Sequence, residues 1–360
     1  MRTVLVTNIP SPYRVLQFDK VAEKLGDNFC VFYCARITSI RKWKIPELKH
    51  KHVFLKKSKF ENKWFNIDII KNLKIYNPDI VITSGFFPTS LFAFFYAKIH
   101  RKKHIVFTDS WLHSVNKLTF FHRLLRKIVI PRSDAFICVG KKGKEFLEKF
   151  GAIPEKIFVS PLAIDNNYYS KFANTNPSTK EYDVIFSGQF VERKMPNFIL
   201  NVLIELYKKG YRLKFLMIGA GELKEKIISI LENNNIDFLY PGFIHQEELP
   251  KYYSNSKLLL FPSKDDPWGL VANEACAVGT PVVTCEKTGV ANDLVIHNKN
   301  GYILPLNEST WVNKITYLID NQDELDRMSG NAFDMVQRFS IENAAKGIID
   351  ACNYVEANEK

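Results

Sequence analysis

The chain has 360 residues, a length that suits two domains of ordinary size better than one core. Hydrophobic residues make up 46% and aromatic residues 13%, which excludes a disordered chain, and the six cysteines show neither paired spacing nor the density of a disulfide scaffold. The net charge of +12 is unevenly divided: residues 1–165 hold 30 basic against 13 acidic side chains, or +17, and residues 166–360 hold 20 against 25, or −5. Zinc-finger spacing, an RNP-like aromatic motif and a helix-turn-helix pattern are all missing, so the basic half points to an anionic membrane surface and not to nucleic acid.

The first residues enter a strand pattern at once and lack the apolar length of a signal peptide. No run reaches the roughly 18–20 apolar residues of a membrane span. Cys30 and Cys34 read as buried thiols, and a reduced, cytosolic setting is expected.

In chain order, residues 3–7 predict a strand, 13–25 a helix, and 29–34 and 53–55 further strands. A helix over 65–75 closes at Asn77-Pro78 before a strand at 80–83. A helix over 90–99 precedes a strand at 105–108, and strands at 135–139 and 157–159 follow. Helices alternating with short apolar strands imply a parallel, doubly wound α/β sheet. Residues 170–181 are polar and turn-rich, the best linker, and a second alternation begins at Tyr182. From Ser340 the tail is helical.

Between 117 and 130 the helical period places Leu118, Phe121, Leu125 and Ile128 on one face, with Arg123 and Lys127 elsewhere and Arg126 and His122 at the border. Such a basic amphipathic helix either lies in a lipid headgroup layer or packs on the core with a solvated rim. Basic runs at 56–59 and 101–104 add charge in the same half.

The second alternation carries the motifs. Residues 184–194 run from a strand through Gly188 into the basic pair Arg193-Lys194. A strand from Phe215 leads into Gly219-Ala220-Gly221, and a short strand near Tyr240 precedes Phe243. Residues 258–261 form a buried strand ended by Pro262. A loop bearing Asp265 and Asp266 follows, and a helix opens near Gly269. That helix stops at Gly279, a residue type suited to a left-handed cap, and Pro281 bars its continuation before the strand 282–284. Asp266 thus lies on a loop at a strand's carboxyl end and Glu274 about one turn into the helix. Two acids and a ring of backbone N–H groups are expected to converge on one crevice, which suits a ligand with both hydroxyls and a phosphate.

An acid, seven residues, then Glu, with Gly269 three places after the first acid and Ala275-x-Ala277-x-Gly279-x-Pro281-Val282-Val283 behind it, resembles the signature of glycosyltransferase family 4. The resemblance has its best motif support over residues 180–305. The family's pattern opens with Glu, whereas this chain has Asp266, one methylene shorter. Members are retaining, nucleotide-sugar-dependent enzymes of the GT-B fold, two Rossmann-like doubly wound domains facing a central cleft. The resemblance implies an acceptor-binding domain over residues 1–170, a donor-binding domain over 171–338, and a terminal helix over 339–360 that crosses back to the first domain.

It also implies roles. Asp266 contacts the donor sugar's hydroxyls, Glu274 binds the ribose, and the amides of Gly269, Leu270 and Val271 hold the diphosphate. Lys194 neutralises the departing diphosphate. Gln189 stands where relatives carry an Arg, and Arg193 is the natural substitute, since a guanidinium can clamp phosphate bidentately. Gly188 and Gly219 form the turns of the donor side, and Phe243 either flanks the base or fills the core. On the acceptor side the candidates are Pro12, Tyr13 and Arg14, where relatives have a glycine-rich loop. Asp109, near the place of a family His, either takes the acceptor hydroxyl's proton or caps a helix. The family needs no protein nucleophile, cofactor or bound metal, and no Asp-x-Asp or clustered His supplies a metal site.

The expected activity is transfer of a sugar from a nucleoside-diphosphate sugar to a saccharide or lipid-linked saccharide, in cell-surface polysaccharide or lipopolysaccharide assembly, at the inner face of the cytoplasmic membrane. The alternatives are a GT-B nucleotide-sugar epimerase and a non-catalytic carbohydrate- or membrane-binding protein.

Overall fold

The computed structural model describes residues 1–37, 45–56, 64–115 and 118–358. Lys57, Ser58 and Lys59 of the basic run, and Lys117 at the head of the amphipathic helix, lie outside the described residues. The chain divides into two units, Met1–Ala163 with Ile341–Lys360, and Ile164–Ser340.

The first unit runs β1 (Thr3–Thr7), α1 (Pro12–Leu25), β2 (Phe29–Tyr33), β3 (Lys51–Phe54), α2 (Ile69–Tyr76), β4 (Ile80–Ser84), α3 (Pro88–Ile99), β5 (Lys103–Thr108), α4 (Leu112–Val115), α5 (Phe120–Val129), β6 (Ala135–Cys138), α6 (Lys141–Lys149) and β7 (Ile157–Val159). Among the described residues the strands form a parallel sheet in the order β3-β2-β1-β4-β5-β6-β7. The inner strands are buried at every position of β1 and β2, as a sheet covered by helices on both faces requires, and they therefore read as continuous apolar runs.

The second unit runs α7 (Asn166–Ser170), β8 (Tyr182–Gln189), α8 (Pro196–Lys208), β9 (Phe215–Ala220), α9 (Lys224–Asn233), β10 (Phe238–Gly242), α10 (Leu249–Ser254), β11 (Ser256–Phe261), α11 (Leu270–Cys276), β12 (Val282–Thr284), β13 (Gly301–Ile303), α12 (Glu308–Asp320) and α13 (Gln322–Val336). Its parallel sheet has the order β10-β9-β8-β11-β12-β13. The strand order reverses between β1 and β4 in one sheet and between β8 and β11 in the other. Ligands of doubly wound sheets bind outside the carboxyl ends of the strands at such switch points.

Helix α14 (Ile341–Ala357) belongs to the first unit, where it packs on α1 and on β6 and β7. Ile348, Ala351 and Val355 enter the core beside Leu5, Phe18 and Val21, and each large aliphatic buried contributes about 1.5–3 kcal/mol. Close approach is enforced at Gly347, where an added Cβ would stand 2.1 Å from the Val159 carbonyl oxygen. Gln17 Nε2 and Ser160 Oγ both donate to the Ala344 carbonyl, which ties the first turn of α14 to α1 and to the end of β7.

Two expectations need correction. The stretch 170–181 is not a free linker but part of the second unit. Asn174 N donates to the Val278 carbonyl, and the buried ammonium of Lys180 donates to the Gly279 carbonyl at 2.8 Å and to Thr280 Oγ1 at 3.1 Å. Polar composition suggested solvent, but these groups find partners on the turn after α11.

The amphipathic helix is rotated from its expected orientation. α5 begins at Phe120 behind a Thr119 cap, and it buries Arg126 and Val129, leaving Phe120 82% and Phe121 61% exposed. Arg126 lies inside because its guanidinium sits 4.4 Å from the Phe86 ring centroid and donates to the His122 carbonyl at 2.9 Å. Burial lowers its pKa to about 10, so the charge is retained. All six cysteines are buried free thiols.

Candidate functional site

The carboxyl edge of the second sheet, at its β8–β11 switch, gathers the basic pair and the first acid. β8 ends at Gln189, and a single 3-10 turn, Glu192–Lys194, precedes Met195, whose φ of 55° admits the sharp entry into α8. The turn is pinned to the loop after β11: Lys264 N donates to the Arg193 carbonyl at 2.9 Å and Ser263 Oγ donates to it at 3.1 Å. Lys194 Nζ therefore reaches Asp266 Oδ2, and it lies 5.5 Å from the Phe261 ring centroid. Arg193 Nη1 donates to the Asp265 carbonyl at 2.7 Å and stands 3.9 Å from Asp266 Oδ2.

Asp266 is held by its backbone as well. Its N–H donates to the Lys287 carbonyl, and its own carbonyl accepts from Gly289 N at 2.8 Å. Behind it, Gly269 takes φ 107° and opens α11; a Cβ there would meet the Phe261 ring at 2.3 Å. The amides of Gly269, Leu270 and Val271 head the helix, where N–H groups have no intrahelical acceptor. Trp268 is buried, donates from Nε1 to Asn273 Oδ1 at 2.8 Å and meets Phe339 at a tilt of 43° with ring centroids 5.5 Å apart.

Glu274 does not share a partner with Asp266. It is buried on α11, and Tyr253 of α10 donates its hydroxyl to Glu274 Oε2 at 2.8 Å. Burial pushes the Glu274 carboxyl up to about 7, while the Tyr253 bond and the neighbouring Tyr169 phenol pull the other way. The two acids are thus in different electrostatic settings, one beside ammonium and guanidinium groups, the other among phenols.

Gly188 and Gly219 meet as cross-strand neighbours of β8 and β9. Gly219 has φ 136°, and a Cβ there would fall 1.8 Å from the Gly188 carbonyl oxygen. Tyr240 Oη donates to the Gly219 carbonyl at 3.1 Å. Phe243 is 43% exposed and meets His245 edge to face at 5.4 Å, so it is not a core residue.

In the first unit the structure joins two residues that sequence spacing kept apart. Arg14 Nη2 donates to Asp109 Oδ1 at 2.8 Å. Arg14 follows Pro12 and Tyr13 in the first turn of α1, is buried, stacks 4.5 Å from the Phe107 ring centroid and donates to Gln17 Oε1 at 2.7 Å. The Asp109 side chain stays 52% exposed after β5. Lys142, at the start of α6, lies 5.3 Å from the centroid of the Trp111 ring that follows β5. Sequence reasoning missed Tyr253 and Tyr169, because nothing in their spacing ties these short helices to an acid on another element. Among the described residues no group of three or more His, Cys, Asp or Glu is arranged to hold a metal ion.

The chain matches a family profile for Glycosyltransferase Family 4 over residues 20–168 and one for Glycosyl transferases group 1 over residues 169–335. It is 25% identical over 244 residues to D-inositol 3-phosphate glycosyltransferase of Nocardia farcinica, a stretch covering 62% of this chain and 53% of that one. The chain therefore spans about half the length of that relative. Its fold is similar to that of HepE from Anabaena, solved with UDP and glucose, at a TM-score of 0.75 and 15% identity, over 98% of this chain and 99% of that one. It is also similar to the lipopolysaccharide outer core galactosyltransferase WaaB, at a TM-score of 0.73 and 16% identity over 98% and 99%. With two parallel Rossmann-like sheets and two abutting profile matches that together run from residue 20 to residue 335, the chain belongs to glycosyltransferase family 4 and has the GT-B fold.

Proposed function

We propose that the protein transfers a sugar, with retention of anomeric configuration and without a bound metal, from a nucleoside diphosphate to a saccharide or lipid-linked saccharide during assembly of a cell-surface glycan. The observation that carries this is the cluster of Lys194, Arg193 and Asp266 beside the head of α11 at the switch point of the second sheet. A nucleoside diphosphate needs cationic and N–H donors for its phosphates, and its sugar needs a carboxylate for its hydroxyls.

In this reading Lys194, Arg193 and the amides of Gly269, Leu270 and Val271 stabilise the charge that grows on the diphosphate as the anomeric carbon–oxygen bond breaks. Asp266 holds the donor sugar, Glu274 the ribose, and Phe243 the base, with Gly188 and Gly219 leaving room for the phosphates. The acceptor hydroxyl forms the new bond on the face from which the diphosphate departs, and its proton passes to Asp109 or to the departing phosphate. Pro12, Tyr13 and Arg14 contact the acceptor, with Arg14 setting the position of Asp109.

The similar structures solved with UDP and with UDP and glucose support a nucleotide-sugar donor, and WaaB supports a glycan of the cell surface. Attachment to the inner face of the cytoplasmic membrane rests on the +17 balance of residues 1–165 and on exposed Phe120 and Phe121 beside Arg123 and Lys127. Among the described residues no helix is long and apolar enough to cross a membrane. Thermal unfolding with UDP, GDP and ADP tests the reading, since a ligand bound to the native state raises its melting temperature. One nucleotide is expected to stabilise the protein, and its sugar adducts to be consumed only with a saccharide acceptor. Stabilisation by none of the three would overturn the proposal, and an epimerised donor without acceptor would replace transfer with epimerisation.

A further inference from the structure

Glu274 is anchored from the inside. Tyr253, fully buried on α10, donates to Oε2 at 2.8 Å, while the Tyr169 hydroxyl of α7 is directed to the Gln246 carbonyl at 3.5 Å and draws the carboxyl pKa down only as a neighbour. Ser187, near the end of β8, lies close enough to the Tyr253 hydroxyl to draw its pKa down against the effect of burial. None of these tyrosines belongs to the signature that marks Glu274. We propose that Tyr253 is a positioning residue for donor binding, whose hydroxyl occupies one oxygen of Glu274 and aims the other at the vicinal hydroxyls of the nucleotide's ribose. The inference rests on the assignment of Glu274 to the ribose made above.

A glutamate side chain has several rotatable bonds, and ordering it at the moment of binding costs affinity; a bond to a fully buried phenol settles that geometry beforehand. The same bond offsets the cost of carrying charge in a buried site. Among the described residues the titratable groups that face the carboxylate are Tyr253 of α10 and Tyr169 of α7, and no charged side chain contributes to its balance. Both phenols are pushed far above their usual range by burial and by Glu274, so they stay donors throughout. With the carboxyl near 7, nucleotide affinity falls as pH drops through neutrality, because the protonated acid loses its capacity to accept from both hydroxyls. Removing the Tyr253 hydroxyl raises the carboxyl further and moves that limb to higher pH. A tyrosine serving only to fill space would leave the limb where it is.

Titration calorimetry of the full chain with UDP, GDP and ADP from pH 6 to pH 9 tests this on the wild type, Tyr253→Phe, Tyr253→Met and Glu274→Gln. Tyr253→Phe is expected to weaken binding at pH 7 about tenfold and to recover much of the loss by pH 9. Glu274→Gln is expected to bind weakly with a flat profile. If circular dichroism shows Tyr253→Phe unfolded, Tyr253→Met carries the test, with an upward displacement of the limb expected and an unmoved limb overturning the inference. Wild-type affinity and midpoint in folded Tyr253→Phe, or a persisting limb in Glu274→Gln, overturns it while leaving the donor assignment standing. A wild type that binds none of the three nucleotides overturns both.

Discussion

Lys194 donates its ammonium hydrogen bond to Oδ2 of Asp266, joining residues 72 apart in the chain, and the side chains of both are largely buried. The pair links the turn after β8 to the loop after β11, the two elements that flank the switch point. In the function proposed above, a cation assigned to phosphate is thus parked on a carboxylate assigned to sugar hydroxyls.

Lys194→Ala is expected to lower the turnover number about a hundredfold, the usual scale for losing one stabiliser of developing charge. Arg193→Ala, whose side chain is more exposed, should cost about tenfold. A double-mutant cycle with Asp266→Ala should show strong non-additivity, since the two residues share a contact. Steady-state transfer assays with the stabilising nucleotide's sugars check all three, and additive losses would contradict the shared arrangement.

Two buried titratable groups give the second unit opposed pH dependences. Glu274 is raised from 4.5 to about 7, so the folded state binds more protons than the unfolded one in that window and stability falls as pH rises through it. Lys180 is lowered from 10.5 to about 7 by burial, so its contribution is full above 10.5 and is lost as pH falls toward 7. Each pH unit of either window is worth about 1.4 kcal/mol at most. The two contributions together are least favourable near neutrality. Glu274→Gln should flatten the acid limb, and Lys180→Met the alkaline one. Lys180→Met should also raise the melting temperature at pH 7, because Ser329 still serves the Gly279 carbonyl and Thr280 keeps its bonds to the Tyr253 and Ser256 carbonyls. Urea melts between pH 4 and pH 10, with a thermal melt at pH 7, supply the measurements.

Gly219→Ala should destabilise the protein by about 3 kcal/mol or more, since both its φ of 136° and the 1.8 Å approach to the Gly188 carbonyl forbid a Cβ. Gly188→Ala meets no atom within 4 Å and bears only the cost of its backbone conformation, about 1–2 kcal/mol. Equal losses for the two in denaturant melts would show that sterics at Gly219 are relieved.

Phe120→Ser with Phe121→Ser should leave the melting temperature unchanged, because both rings are largely exposed, and should lower binding to vesicles containing phosphatidylglycerol at least about tenfold. Sedimentation with neutral phosphatidylcholine vesicles supplies the control. Binding that survives both substitutions would move the lipid contact away from α5.

Much of the architecture was legible locally. The apolar runs of β1, β2, β8 and β11 declare buried parallel strands, and Gly269, Gly279 and Pro281 bracket α11 through backbone preferences that hold wherever they occur. The helix over 120–129 was harder. Period alone places Arg126 at a border, and the Phe86 ring, brought in from the loop before α3, together with the His122 carbonyl makes its burial tolerable. The stretch 170–181 misled for the same reason, since Lys180 looks solvated until the Gly279 turn provides acceptors.

From its order of residues alone, the chain determined the two alternations of strand and helix, the acid spacing at Asp266 and Glu274, and the basic pair that precedes them. Those depend on neighbours a few positions away. What only the tertiary structure decided is the company each charge keeps: Arg14 with Asp109, Lys194 with Asp266, Glu274 with Tyr253. Such pairings arise where separate strands end side by side, and the strength of a charge there depends on burial and distance, neither of which is carried by spacing along the chain.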